Sequence, residues 1–129
     1  MDYRQNDATI NRPEGARVLD GDFIYTDLVE IVEQLRNEKA YDTNDLNGIT
    51  VFKTESTTIV VTLMKQGSFS KRITVDTALT LLVMSGKLTI EKEGSVIELG
   101  PAQMLNFHPL IAHDIKAETE TVLIQITHG

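Results

Sequence analysis

The sequence predicts an all-β domain, an antiparallel sandwich or barrel preceded by one short helix, and three observations predict it. From Ile49 onward apolar residues recur with a period of two, in short runs rich in β-branched residues: ITVFK, TTIVVTLM, KRITV, LTLLVM, KLTIEKE, SVIEL, QMLNF, HDIKA and TVLIQIT. Turn residues divide these runs at Gly67-Ser68, Ser85-Gly86, Glu93-Gly94, Gly100-Pro101 and His108-Pro109. No helical pattern falls between them, so the strands have no crossover helices and must pair as antiparallel sheets that close on one another.

Residues 1–24 form an N-terminal arm, polar and turn-rich, with small apolar islands at Arg17-Val18-Leu19 and Phe23-Ile24. Such an arm buries little alone and is expected to add or exchange an edge strand. Residues 25–129 form the domain proper. Its helix is expected over 27–39: Asp27 is placed to cap it with Glu30 three residues on, and Leu28, Ile31, Val32 and Leu35 make one apolar stripe at helical period. A helix this short needs that stripe docked against the barrel. Tyr41 to Gly48 (YDTNDLNG) reads as a loop with a turn at Asn47-Gly48, and the barrel is expected over 49–127.

Composition narrows the partners. A chain of 129 residues with net charge −7 lacks the basic stripe that nucleic acid requires, and the same sign disfavours anionic lipid. There is no cysteine, hence no disulfide, thiolate nucleophile or zinc–sulfur site. No apolar run approaches a membrane span and the first residues carry no apolar signal core, so the expected location is the cytoplasm. Between Asp20 and Gly48 eight acids face only Arg36 and Lys39, the pattern of a solvated surface, and no spacing there fits a calcium loop. No nucleophile elbow, P-loop, dinucleotide fingerprint or HExxH motif is present.

The stretch GSFSKRITVDTALTLLVMSG, Gly67 to Gly86, resembles the first half of the cupin motif, in which Gly, five residues, His-x-His, a short gap, Glu, six residues and Gly follow one another. Both glycines fall in place. The His-x-His positions hold Ile73 and Val75, and the Glu position holds Leu79. The second cupin half carries Pro-x-Gly, two residues, then His; GPAQMLNFHPLIAH puts His108, Leu110 and His113 there. VMSGKLTIEKEGSVIELG resembles the usual link between the halves, and residues 9–127 as a whole are similar to small single-domain bacterial cupins in which a helix precedes the barrel. The resemblance implies a double-stranded β-helix (the cupin jelly roll) with one short N-terminal α-helix, and a chain of uncharacterised function.

The resemblance also implies a divalent metal held by imidazoles and one carboxylate, and here the ligand set is vacated. Ile73, Val75 and Leu79 have no lone pairs to give, and one imidazole does not hold a first-row metal. No metal or other cofactor is therefore expected; the remaining candidates for one are His113, His108 and Asp76. Ile73, Val75, Leu79, Leu81, Phe107 and His113 are expected to line an apolar pocket, with His113 as hydrogen-bond anchor and the candidate for any catalytic base. Lys71-Arg72 is the one local basic pair, and regular strand alternation would point the two opposite ways. His128 is expected to be disordered. The leading expectation is a metal-free barrel that binds a small, partly apolar molecule and forms a homodimer. The alternatives are an isomerase, epimerase or dioxygenase-type enzyme using His113, and a purely structural or interaction barrel. The enzyme readings lack an acid partner for His113 and a ligand triad.

Overall fold

The structure, a computed structural model, describes residues 5–6 and 17–128. Eleven strands and two helices follow in the order β1 (Gln5–Asn6), β2 (Arg17–Val18), α1 (Leu28–Asn37), α2 (Lys39–Thr43), β3 (Leu46–Lys53), β4 (Thr57–Met64), β5 (Phe69–Ile73), β6 (Ala78–Ser85), β7 (Leu88–Lys92), β8 (Ser95–Leu99), β9 (Met104–Phe107), β10 (His113–Ala117) and β11 (Thr121–His128). A four-stranded sheet in the order β5-β10-β7-β8 faces a five-stranded sheet in the order β3-β4-β11-β6-β9, and every pairing is antiparallel. This is a jelly roll, the all-β architecture the sequence predicts. Among the described residues no helix is long and apolar enough to cross a membrane.

Two apolar layers follow from strand alternation. Leu79, Leu81 and Val83 of β6 point between the sheets and meet Leu88 and Ile90 of β7, Ile115 and Ala117 of β10, Phe107 of β9 and Leu123 of β11. On the outside of the five-stranded sheet, Ile49 and Val51, Val61 and Leu63, and Val122 and Ile124 meet Leu35 of α1 and Tyr41 of α2. Leu28, Ile31 and Val32 complete the expected stripe, partly buried on that second layer. Strands β4 and β11 are therefore covered on both faces. Val61 to Met64 and Thr121 to Ile124 are buried without interruption, which is why TTIVVTLM and TVLIQIT read as near-continuous apolar runs.

The helix starts where expected: Asp27 Oδ1 accepts from the amides of Val29 and Glu30 at 3.0 and 3.2 Å. It ends earlier, at Asn37, because Glu38 takes an extended conformation, and α2 begins at Lys39. The segment expected as a loop with an Asn47-Gly48 turn is instead α2 followed by the start of β3. Asn47 is buried, and its amide donates to the Leu35 carbonyl at 3.1 Å and to Glu38 Oε1 at 2.9 Å, so it closes the open end of α1. Gly48 lies mid-strand, where a Cβ would stand 3.2 Å from Thr62 Oγ1. Both are turn formers by composition, kept here for a buried bond and a close approach.

Arm residues 1–4 and 7–16 lie outside the described residues. Of the rest, β1 pairs only with β2, and the arm meets the barrel through Leu19, which is 1% exposed and whose carbonyl accepts from Lys53 N at 3.1 Å. The C-terminal end is also ordered further than the sequence predicts: His128 closes β11, paired with Thr57 and Ala78, with Nε2 3.3 Å from Thr80 Oγ1. Where the helices cross the sheet, Glu120 accepts from the Arg36 guanidinium at 2.6 Å and from the Tyr41 hydroxyl at 2.8 Å.

The two glycines of the GSFS…MSG stretch both have positive φ, +87° at Gly67 and +89° at Gly86, yet differ in surroundings. A Cβ at Gly67 meets nothing, whereas one at Gly86 collides with the Glu120 carbonyl and Thr121. Gly67→Ala is expected to lower unfolding free energy by about 1 kcal/mol, the backbone cost alone. Gly86→Ala is expected to cost about 3 kcal/mol or more, the range of enforced clashes in packed sites. Equal urea midpoints for the two variants would contradict this account.

Burial first, and the hydrogen bond to Glu120 second, push the Tyr41 phenol up to about 12. A raised value means that the fold favours the neutral phenol. Its contribution is complete below the ordinary tyrosine value of about 10 and disappears as pH climbs through about 12. The stability difference between the native chain and Tyr41→Phe, followed by denaturant titration, should shrink over that alkaline window. A difference flat across it would contradict the assignment.

Candidate functional site

His113 opens β10 opposite Ile73, the last residue of β5, and is 3% exposed. Its Nδ1 lies 3.0 Å from the Ile111 carbonyl oxygen, which can only accept, so Nδ1 carries the proton. In the neutral imidazole Nε2 is then a bare acceptor, and it is buried with no hydrogen-bond partner. The ring stacks on Phe107, centroids 4.5 Å apart and planes 14° apart, which fixes its second axis. Phe107 pairs with Leu79 across β9 and β6, and Ile73 and Val75 pack on the same cluster. The imidazole is thus held in one orientation by a carbonyl and a ring, and its free nitrogen is buried without a partner. Ser68 Oγ, in the turn before β5, is the other buried side-chain atom among the described residues without a partner.

An open depression of about 900 Å³ reaches His113. Its rim includes Lys71, Arg72, Lys92, Leu110 and Asp114. Of the six residues expected to line a pocket, His113 alone lines this one. Leu79, Leu81 and Phe107 are buried in the barrel core, and Ile73 and Val75 are partly buried against it.

The rim departs from the regular strand that the sequence suggests. His113 pairs with Ile73 but Ile115 with Ser70, so the register slips, and two residues, Lys71 and Arg72, oppose Asp114 alone. Arg72 takes φ +54° at this bulge, and its amide donates to Asp114 Oδ1 at 2.8 Å. The alternation expected to part Lys71 from Arg72 is broken, and both residues line the depression. Leu110, at the position the cupin pattern gives to glycine, takes φ +66° with its amide donating to the Val75 carbonyl at 2.8 Å. The backbone needs a glycine-like conformation there, and leucine holds it at a cost of about 1 kcal/mol while 67% exposed.

The metal that the cupin pattern implies does not fit these residues. Ile73, Val75 and Leu79 offer no donor, Asp76 and His108 are exposed, and no group of three or more His, Asp or Glu among the described residues could hold an ion. Sequence reasoning singled out His113 and the Lys71-Arg72 pair. It set the pair on opposite faces, because the bulge at Arg72 is not announced by composition. The leucine at a glycine position was the one available sign of strain.

Neither a family model nor a curated protein matches the chain. The two sheets, their strand order and the site at the start of β10 define a closed antiparallel jelly roll, and solved structures of that class match it. The fold is the cupin fold. A cupin superfamily protein from Desulfitobacterium hafniense superposes with a TM-score of 0.63 at 18% identity, over 66% of this chain and 78% of that one. KdgF from a Halomonas species gives 0.60 at 18% identity over 64% and 76%. A conserved protein of unknown function from Streptococcus pyogenes gives 0.67 at 12% identity over 85% and 93%.

Proposed function

We propose that this chain is a metal-independent cupin that binds a small, partly apolar molecule, with His113 Nε2 as its hydrogen-bond acceptor. The observation that carries the reading is the unpartnered Nε2, buried and oriented from two sides, on a residue that lines a depression. A buried acceptor left without a partner costs about 1–3 kcal/mol, so a ligand bringing an O–H or N–H to it gains that energy back on binding. The ligand it selects is a hydrogen-bond donor on a small hydrocarbon body, since Leu110, Ile111 and Ala112 line the depression with His113. Among the described residues no hydrogen bond joins His113 to a carboxylate, and Asp114 on the same rim accepts from the Arg72 amide, so binding is preferred to an isomerase or oxygenase role. A purely structural barrel is the second reading, favoured by Leu81, Val83, Leu88 and Ile90, which leave no exposed surface in the interior. The cytoplasm is taken as the working location from the sequence alone.

Thermal-shift and NMR screening of small hydroxyl- and amide-bearing compounds tests the reading. Hits should raise Tm in the native chain and move the His113 side-chain nitrogen resonances. In His113→Phe, which keeps the stacked ring and gives up both the bond to the Ile111 carbonyl and the orphan acceptor, Tm should change little and binding should weaken by about tenfold, one lost hydrogen bond. Hits that bind His113→Phe as tightly as the native chain would sink it, and a blank screen would favour the structural barrel.

A homodimer is part of this proposal. Val18, Phe23, Tyr25 and Val29 are 48%, 84%, 82% and 74% exposed along the arm and the first turn of α1, more apolar surface than a short segment leaves in water without a partner. A second copy meeting the same patch would cover it symmetrically. Phe23→Ser combined with Tyr25→Ser should convert a dimer mass in light scattering to that of the monomer without loss of Tm. An unchanged mass would refute the arm as the interface.

A further inference from the structure

We propose that the molecule taken by the depression beside His113 is a small hydroxy acid with an apolar body, its acid end bound at Arg72 and Lys71 and its hydroxyl donated to His113 Nε2. The inference rests on the small-molecule reading above and goes further by naming the class. Three non-glycine residues among those described have positive φ, and two of them, Arg72 and Leu110, stand on this one rim. Glycine would hold either backbone without strain, so what arginine and leucine add is a side chain. Leu110 is two-thirds exposed and gives nothing to the core, so its side chain serves the space it overhangs.

Charge at the rim is placed rather than summed. Lys71, Arg72 and Lys92 face Glu91, Glu93 and Asp114, a formal balance of zero. Asp114 Oδ1 is already engaged by the Arg72 peptide N–H, and Glu91 and Glu93 are exposed at the β7–β8 hairpin tip. None of the three cations makes an ion pair among the described residues. Arg72 and Lys71 share the bulge that ends at the His113–Ile73 pair, so two cations without an ion pair among the described residues line the same depression as His113. A guanidinium takes a carboxylate in two parallel hydrogen bonds, which a neutral ligand cannot supply. A carboxylate has no hydrogen to give Nε2, so the donor must come from the ligand's other end. Leu110 and Ile111 line the same depression and give an apolar body its packing surface.

The probes are para-hydroxybenzoate and para-hydroxyphenylacetate, which differ in length, each compared with its neutral amide and its methyl ether, and with tyramine as the cationic counterpart. Affinities are read by NMR titration of the full chain. At least one acid is expected to bind about tenfold more tightly than its amide, and tyramine not at all. Arg72→Gly should abolish the preference for acid over amide while leaving Tm the same or higher, because strain is relieved. Leu110→Gly should weaken acid and amide alike and raise Tm. His113→Phe should erase the discrimination between phenol and methyl ether. An acid and amide of equal affinity, tyramine binding in their place, or an Arg72→Gly variant with its preference intact would overturn the inference. The small-molecule reading would survive those results wherever binding still depends on His113. No binding by any probe overturns the inference alone, and a blank in the wider screen overturns both.

Discussion

Burial of β4 and β11 on both faces is the constraint on which the rest of the molecule depends. These two strands are the centre of the five-stranded sheet, with the inter-sheet core on one side and the α1–α2 layer on the other. A sheet covered on one face only would present Ile49, Val61, Leu63 and Ile124 to water, about 1.5–3 kcal/mol for each side chain left exposed. The helices are therefore part of the barrel's stability, and the polar contacts that hold them are placed to fix the docking. Asn47 joins the end of α1 to the start of β3, and Glu120, in the turn that leads into β11, reaches Arg36 and Tyr41 from the sheet side. The Arg36–Glu120 pair is nearly half exposed at both ends and contributes little by itself. Tyr41, buried against the second layer, ties the same carboxylate to the apolar interface.

That layering explains what could be read in the chain and what could not. Period-two runs and turn residues gave the strands, and the Leu28–Leu35 stripe gave the helix with its cap at Asp27, because each signal belongs to one element and its own neighbours. The end of the helix was misplaced for the opposite reason. Glu38 is extended and Asn47 sits in a strand because the Leu35 carbonyl, twelve residues upstream in the chain, needs a donor where the helix meets the sheet. No local pattern states that need. Asn-Gly is a turn signal only while nothing distant claims the asparagine amide and the space above the glycine.

The site divides along the same line. His113 was legible as the one imidazole standing where the cupin pattern has a ligand, and Ile73, Val75 and Leu79 were legible as residues that cannot hold a metal. Their packing was not: Leu79 and Leu81 close the core, and the open space lies on the rim side of His113. The rim depends on a slip of register between β5 and β10, which turns on backbone geometry at Arg72 and on one hydrogen bond to Asp114. A bulge of this kind changes the facing of two side chains without altering the hydrophobic pattern of the strand, so alternation alone assigns Lys71 and Arg72 to opposite faces.

Hydrocarbon in place of ligands does more than remove a metal. In a site with imidazoles and a carboxylate, each polar side chain answers another or the ion they share. Here one imidazole is left among side chains that answer nothing, yet its Nδ1 bond and its stack on Phe107 remain well formed. A phenylalanine at the same position would keep the stack on Phe107 but give up the bond to the Ile111 carbonyl, so Nδ1 has a structural partner and only Nε2 is left without one. Two strained residues on the adjoining rim have the same character, since glycine would relieve both and the fold would lose nothing by it. Three local costs around a single depression are what a fold carries when the free energy is recovered elsewhere, and the proposed ligand is a partner that would touch all three points.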